Sequence, residues 1–124
     1  MKIKLEDVDE IEDDFQQIFL AKSGIHVKPR LHRLKTATKS IAGIKYDDLY
    51  IIEPNKFYFL NFDEDLSPFI EEDIKMHYVK TEDIFVTSGL LTSFQMNENR
   101  LAIYNASKNI IYIQKGMNIM ELIE

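Results

Sequence analysis

The sequence of this 124-residue chain predicts a single, mainly β domain with one helix at its N-terminus. From Leu49 onward, short apolar runs recur about every 8–12 residues between turn-forming residues, as is typical of a β-barrel or sandwich. The chain also contains eight Phe and six Tyr, which favour strands. Near the N-terminus the apolar spacing is three and four residues, which indicates a helix.

The N-terminal helix is predicted over residues 5–21, within an acidic segment that covers residues 1–23. Acids crowd its first turns, where the helix dipole stabilises negative charge, and Gly24 is a suitable residue to end it. Its apolar residues recur every three or four positions and therefore share one stripe: Leu5, Val8, Ile11, Phe15, Ile18 and Phe19.

The segment after the helix has weaker patterns. Residues 25–28 alternate between apolar and polar, as a short strand does, and Pro29 stops the run. Residues 36–43 are small and polar, and we therefore predict a loop there.

The second half of the chain is predicted to consist of strands and turns. Residues 53–56 form a predicted turn, because Pro is favoured near its start and Asn55 tolerates a positive φ. Residues 57–62 are aromatic on both faces, which indicates a central strand, and the acidic residues 63–73 are predicted to form a loop. Further strands are predicted at residues 49–52, 74–79, 84–86, 101–105, 110–113 and 117–123.

Composition excludes several classes of protein. The chain has no Cys, which rules out disulfides, thiolate metal sites and a Cys nucleophile, and fits a reducing cytoplasm. No apolar run approaches the roughly 20 residues that cross a bilayer, and the N-terminus lacks the apolar centre of a signal peptide. The net charge of −6 argues against nucleic acid as the main partner. We therefore expect a cytoplasmic protein without a membrane partner.

Neither a metal site nor a cofactor is predicted. The three histidines, His26, His32 and His77, have no acid at a metal-ligand spacing. The acidic runs 63–65 and 71–73 lack the Gly of a calcium loop, and the chain has no phosphate-binding Gly-rich loop.

Residues 88–122 have a distinctive order of turns and strands. A Gly opens the segment, a strand ends at an Asn, and a Gly-Met turn leads into the last strand. Glycine permits backbone conformations that a Cβ forbids, and Asn tolerates similar ones. The positions that define the order are Gly89, Asn105, Gly116, Met117, Ile119 and Leu122.

This order resembles the closing half of dUTPases and dCTP deaminases and follows it without a gap. Residues 54–60 and 24–29 are similar to segments of the deaminases. The resemblance implies a β-clip barrel of the dUTPase type. It also implies a homotrimer, since those enzymes commonly form trimers with active sites between subunits.

The same resemblance implies that the family's chemistry is lost. The position of the dUTPase catalytic Asp is occupied by Thr92, whose hydroxyl stays protonated near neutral pH. The position of the deaminase catalytic Glu is occupied by Ala102, which has no proton to transfer. The phosphate-binding Arg-Ser motif is replaced by residues 80–83, which include two acids. We therefore assign no catalytic residue.

A basic run is the remaining candidate for a binding site. It consists of Lys28, Arg30, His32, Arg33 and Lys35, and it offers charge for an anion or an acidic partner surface. The competing interpretation is a solvated segment that pairs with the acidic N-terminus.

Three functions follow from these observations. The first is a non-catalytic relative that serves as an oligomeric binding or structural module, for example in a phage or mobile element, and then in the host cytoplasm. The second is a nucleotide-binding sensor or sponge without turnover. The third is an active nucleotide hydrolase or deaminase with relocated residues.

Overall fold

The computed structural model describes residues 1–12, 30–67, 78–81, 85, 87–95 and 98–123. This part of the chain forms eleven strands in three antiparallel sheets, so the mainly β fold class is confirmed. The strands are β1 (Lys2–Lys4), β2 (Asp7–Ile11), β3 (Leu31–Arg33), β4 (Ala37–Ile41), β5 (Ile44–Ile52), β6 (Phe57–Asn61), β7 (Tyr78–Thr81), β8 (Leu90–Gln95), β9 (Arg100–Asn105), β10 (Ile111–Gln114) and β11 (Asn118–Ile123).

The largest sheet has five strands in the order β3-β2-β6-β9-β8. The aromatic strand β6 lies at its centre, as its sequence predicts. The other two sheets have three strands each, in the orders β1-β11-β7 and β10-β5-β4. Within the described residues, no helix is both long enough and apolar enough to span a membrane.

The core is divided by the five-stranded sheet. One face of β6 contributes Tyr58 and Leu60 to the main apolar cluster, which also contains residues of the two smaller sheets. The other face contributes Phe59 to a smaller cluster with Ile11 and Ala102. Both faces of this sheet are therefore buried in part, which explains why its central strand is apolar on both sides.

The predicted N-terminal helix is wrong over the part of it that the structure describes. Residues 7–11 form strand β2, and residues 13–21 of the predicted helix lie outside the described residues. Val8 packs in the main cluster, whereas Ile11 packs in the smaller one on the opposite face. A strand that is buried on both faces has no clean alternation, and its three-residue apolar spacing imitates a helix.

Two further predictions need correction. The predicted loop at residues 36–43 contains strand β4 and a two-residue turn, at which Ala42 and Gly43 have φ of 51° and 80°. Both central residues of the turn thus adopt positive φ. Two-residue hairpin turns of this kind are favoured because their backbone twist matches the right-handed twist of the strands. Phe85 is helical, whereas a strand was predicted at residues 84–86. The predicted strand at residues 25–28 lies outside the described residues.

Candidate functional site

Thr92 and Ala102, the positions at which the resemblance expects catalytic acids, lie on neighbouring strands but face opposite ways. Thr92 on β8 is directly opposite Ile103 on β9, a residue of the main cluster. Ala102 on β9 is directly opposite Phe59 on β6 and is buried with Phe59 and Ile11. Directly paired residues project to one face of a sheet, and successive residues project to alternate faces. Thr92 and Ala102 therefore do not converge on one site.

Four polar side chains, which we call the Arg33 cluster, lie on the same sheet face as Ala102. Strand register sets them side by side, because Asp9 is paired with Arg33 and Asp7 with Asn61. Arg33 donates from Nε to Asp9 Oδ1 at 2.6 Å and from Nη1 to Asp7 Oδ2 at 2.9 Å. Asn61 Nδ2 donates to Asp7 Oδ1 at 2.8 Å and to Asp9 Oδ2 at 2.9 Å.

The charged groups of the Arg33 cluster are paired with one another. The Asp9 side chain is only 9% exposed, and a carboxylate at that depth requires a cation and hydrogen bonds to offset its lost hydration. The hydrogen bond that Arg33 donates to Asp9 raises the pKa of Arg33, against a smaller opposing effect of desolvation. Two carboxylates face one guanidinium, so the cluster does not attract a further anion.

The described residues of the predicted basic run do not all lie on one face of the sheet. Lys28 lies outside the described residues, and Arg30 is exposed just before β3. His32 and Arg33 are successive residues of β3 and therefore project to opposite faces. Arg33 is engaged by two carboxylates, while Lys35 is exposed beyond the strand.

A second guanidinium, that of Arg100 on β9, is packed against this sheet face. Its Cζ lies 4.1 Å from the centroid of the Phe59 ring, which is a cation–π contact. Burial lowers the pKa of Arg100, and the charge of Asp9 opposes this effect. Arg100 forms an ion pair with Glu98, while its Nε is buried with no hydrogen-bond partner in the described part of the chain. Because a guanidinium stays charged in proteins, Arg100 is a fixed cation here.

A third group of charges lies at the other end of β2 and β6. Lys56 Nζ lies 3.0 Å from Glu10 Oε1 and 2.5 Å from Glu53 Oε2. The hydrogen bonds to Glu53 and Glu10 raise the pKa of Lys56. The Tyr58 hydroxyl accepts a hydrogen bond from the Glu53 amide at 2.9 Å, and burial raises the pKa of Tyr58. These contacts fix the turn between β5 and β6.

Gly89 and Asn105, two of the turn residues that the sequence analysis singles out, both lie next to Ser107. Asn105 is fully buried, and its Nδ2 donates to the carbonyls of Ile52 at 3.1 Å and Asn109 at 2.9 Å. Its Oδ1 accepts from the amide of Ser107 at 3.0 Å and from its hydroxyl at 2.6 Å. Gly89 has a φ of +87°, and a Cβ built on it would lie 3.0 Å from Ser107 Cβ. Both residues are thus required by the local geometry.

The third turn residue, Gly116, lies between β10 and β11 with a φ of +84°. Its amide donates to the carbonyl of Leu5 at 2.8 Å, which ties this turn to the N-terminal strands. No atom lies within 4 Å of a Cβ built on Gly116, so only its backbone conformation favours glycine.

Sequence analysis missed most of the side chains that meet on this face. Asp7, Asp9 and Asn61 are polar positions whose partners are distant in the sequence, and Arg100 is an isolated cation in an apolar strand. The alternation of Asp7 and Asp9 is a strand signal that the helix prediction obscured. Within the described residues, no group of three or more His, Cys, Asp or Glu side chains is placed to hold a metal ion.

Comparisons with protein-family models, with curated proteins and with solved structures found no match for this chain.

Proposed function

We propose that this chain is a catalytically inactive relative of dUTPases and dCTP deaminases, a β-clip domain that acts as an oligomeric binding or structural module. The observation that carries the proposal is a contrast between the turn residues, which are retained, and the positions of the expected acids, which hold none. Gly89 has a positive φ and Asn105 is hydrogen-bonded to Ile52, so the turn residues that carry the resemblance have structural roles here. Thr92 and Ala102 carry no carboxylate and project to opposite faces of the sheet.

The proposal includes the assembly that the resemblance implies. We infer a homotrimer, a role in binding a protein partner, and an origin in a phage or mobile element, which places the chain in the host cytoplasm. Such a module requires the scaffold and its surfaces but no proton transfer. Retention of turn residues without acids is consistent with that requirement.

A nucleotide-binding sensor without turnover is the alternative function. It requires free cations in the basic run, and Arg33 is already bound by Asp7 and Asp9. Lys35 remains exposed, but a single exposed lysine is a weak phosphate site. The contacts of Arg33 therefore favour the binding module over the sensor.

The test combines three measurements on the purified chain. We expect no hydrolysis of dUTP and no deamination of dCTP above the rate in buffer, no calorimetric signal with millimolar nucleotides, and a solution mass above that of the monomer. Saturable nucleotide binding without product would support the sensor instead. Turnover that disappears in Asp9→Asn would support an enzyme with relocated residues, and a purely monomeric chain would contradict the assembly.

A further inference from the structure

The hairpin of β4 and β5 extends beyond the rest of the fold. Strand β5 is nine residues long, and only Leu49–Ile52 pair with β10. Ile44, Lys45 and Tyr46 pair with β4, while the carbonyls of Asp47 and Asp48 accept hydrogen bonds from Gln114 Nε2 at 3.1 Å and from the Lys115 amide at 2.9 Å. We call residues 38–48 the arm. At about 3.3 Å per residue, its strands project roughly 15–20 Å past the point where β10 ends.

Neither face of the arm is covered. Successive residues of a strand point to opposite faces, yet every residue of the arm is exposed except Tyr46, which is half-buried. The arm is held together by its strand pairing, by a hydrogen bond of 2.9 Å from Thr38 Oγ1 to Asp47 Oδ1, and by the positive-φ turn at Ala42 and Gly43. A two-stranded hairpin without further packing is marginally stable in water, so a contact with another surface would stabilise the outer part of the arm.

The tip of the arm is apolar. Ile41 and Ile44 are paired directly across the turn, and their side chains are 38% and 57% exposed. Two exposed β-branched side chains at the end of a projecting hairpin form an anchor suited to an apolar recess on another surface.

The outer part of the arm is basic, whereas its base is not. Residues 39–46 contain Lys39 and Lys45 and no acid, which gives a charge of +2, and Asp47 and Asp48 follow at the base of the arm. Because the whole chain has a charge of −6, the residues outside 39–46 together carry −8. An acidic body and a basic arm tip on the same chain are complementary between copies, and opposite charges of this kind steer association.

The charges also decide how two copies meet. Pairing of β4 with β4 of a second copy would bring lysines of the two arms together. Lysine on an edge strand is a feature that discourages this edge-to-edge pairing. Contact between the arm and the acidic body avoids the repulsion and leaves each copy able to give one arm and receive another, as closed homo-oligomers require.

We propose that the arm docks on the acidic body of a second copy of this chain, with Ile41 and Ile44 in the contact and Lys39 and Lys45 facing its carboxylates. This inference rests on the proposed oligomeric function and names the surface that forms the oligomer.

The experiment measures solution mass by sedimentation equilibrium over a range of concentrations for the full chain and two pairs of variants. Replacement of Ile41 and Ile44 by Ser should weaken association roughly 100-fold, because two apolar anchors are lost. Reversal of charge with Lys39→Glu and Lys45→Glu should weaken it about tenfold at low salt. Reversal at Lys108 and Lys115, which are exposed outside the arm, is the matched control with the same change in net charge and should have little effect.

Folding of each variant is checked by far-UV circular dichroism and thermal unfolding, which should change little because the altered side chains are exposed. If the native chain is an oligomer and both arm variants keep its mass, the arm inference is wrong while the proposed assembly stands. If the native chain is a monomer at every concentration, both fail. A monomer that co-sediments with nucleic acid or another acidic protein through Lys39 and Lys45 would assign the arm to that partner and overturn the inference.

Discussion

The side chain of Asn105 joins two sheets, because its Nδ2 on β9 donates to the carbonyl of Ile52 on β5 at 3.1 Å. The same amide also closes the turn that follows β9 through Asn109 and Ser107. A fully buried amide that makes four hydrogen bonds is a demanding position, since each bond lost leaves a buried group without a partner.

We therefore expect Asn105→Ala to lower the free energy of unfolding by about 2–4 kcal/mol. Asn109→Ala is the control, because the carbonyl of Asn109 that Asn105 binds remains available. It should cost less than about 0.5 kcal/mol. Urea denaturation of both variants checks the prediction, and equal costs would contradict the role of the Asn105 amide.

Substitutions at Gly89 and Gly116 separate the energetic cost of a positive φ from the cost of a steric contact. Both have positive φ, but only Gly89 faces an atom, Ser107 Cβ, that an added Cβ would approach to 3.0 Å. Gly116→Ala should cost about 1 kcal/mol from the backbone alone, and Gly89→Ala about 2 kcal/mol or more. Thermal unfolding of the two variants compares them, and an equal loss of stability would show that the Ser107 contact has no effect.

Arg33 is expected to stabilise the fold rather than bind a ligand. Arg33→Met removes the cation that faces Asp7 and Asp9 and leaves the Asp9 carboxylate buried with Asn61 as its remaining partner. Because the Arg33 side chain is 60% exposed while Asp9 is buried, we expect a loss of about 1–2 kcal/mol. Lys35→Met, at an exposed position of the same basic run, should cost less than about 0.5 kcal/mol. A nucleotide affinity that falls in Arg33→Met without loss of stability would indicate a binding role instead.

Stability should fall at high pH through Lys56. The carboxylates of Glu53 and Glu10 raise its pKa above the ordinary value of 10.5, so the folded state holds its proton more tightly than the unfolded state. The contribution is fully present below about pH 10.5 and is lost as the pH rises through the folded-state pKa. Burial raises the pKa of Tyr58 and adds a loss in the same direction. Urea midpoints between pH 8 and 11 should fall less steeply in Lys56→Met than in the native chain, whereas Lys108→Met should retain the native slope.

Acids placed at the two positions where the resemblance expects them should not produce turnover. Thr92 is directly opposite Ile103, a residue of the main apolar cluster, and position 102 is fully buried. We expect no turnover of dUTP in Thr92→Asp and no deamination of dCTP in Ala102→Glu. Ala102→Glu should destabilise the fold by at least about 3 kcal/mol, because it buries a charge. Ala102→Gln, whose side chain has nearly the same volume without the charge, is the matched control, and turnover of either nucleotide would contradict the expectation.

Sequence analysis predicted correctly those elements whose residues follow a regular local pattern. The turn with Asn55 is present, with a φ of 60° at that residue, and the aromatic strand β6 is central. Strand β2 was missed because Val8 and Ile11 are buried on opposite faces, so its apolar spacing resembles that of a helix. The arm was missed for the opposite reason. It buries neither face, and a strand without a buried face has no apolar alternation to detect.

The candidate site was predictable only in part. Arg33 was found from its charge, but Asp9 contacts Arg33 across 24 residues of sequence and Asn61 across 52. Strand order and register determine such contacts, and neither can be deduced from one short basic run. Once the register is known, the neutralisation of Arg33 follows directly.

Strand β5 connects the arm directly to the place where Asn105 joins two sheets. It begins at Ile44, at the tip, and ends at Ile52, whose carbonyl accepts the hydrogen bond from Asn105. Eight residues of extended chain, at most about 26 Å, separate the two points. A displacement of the tip is therefore transmitted along β5 toward the residue that Asn105 contacts. Force applied at the tip is carried along β5 to the place where the Asn105 amide and the main apolar cluster join two sheets.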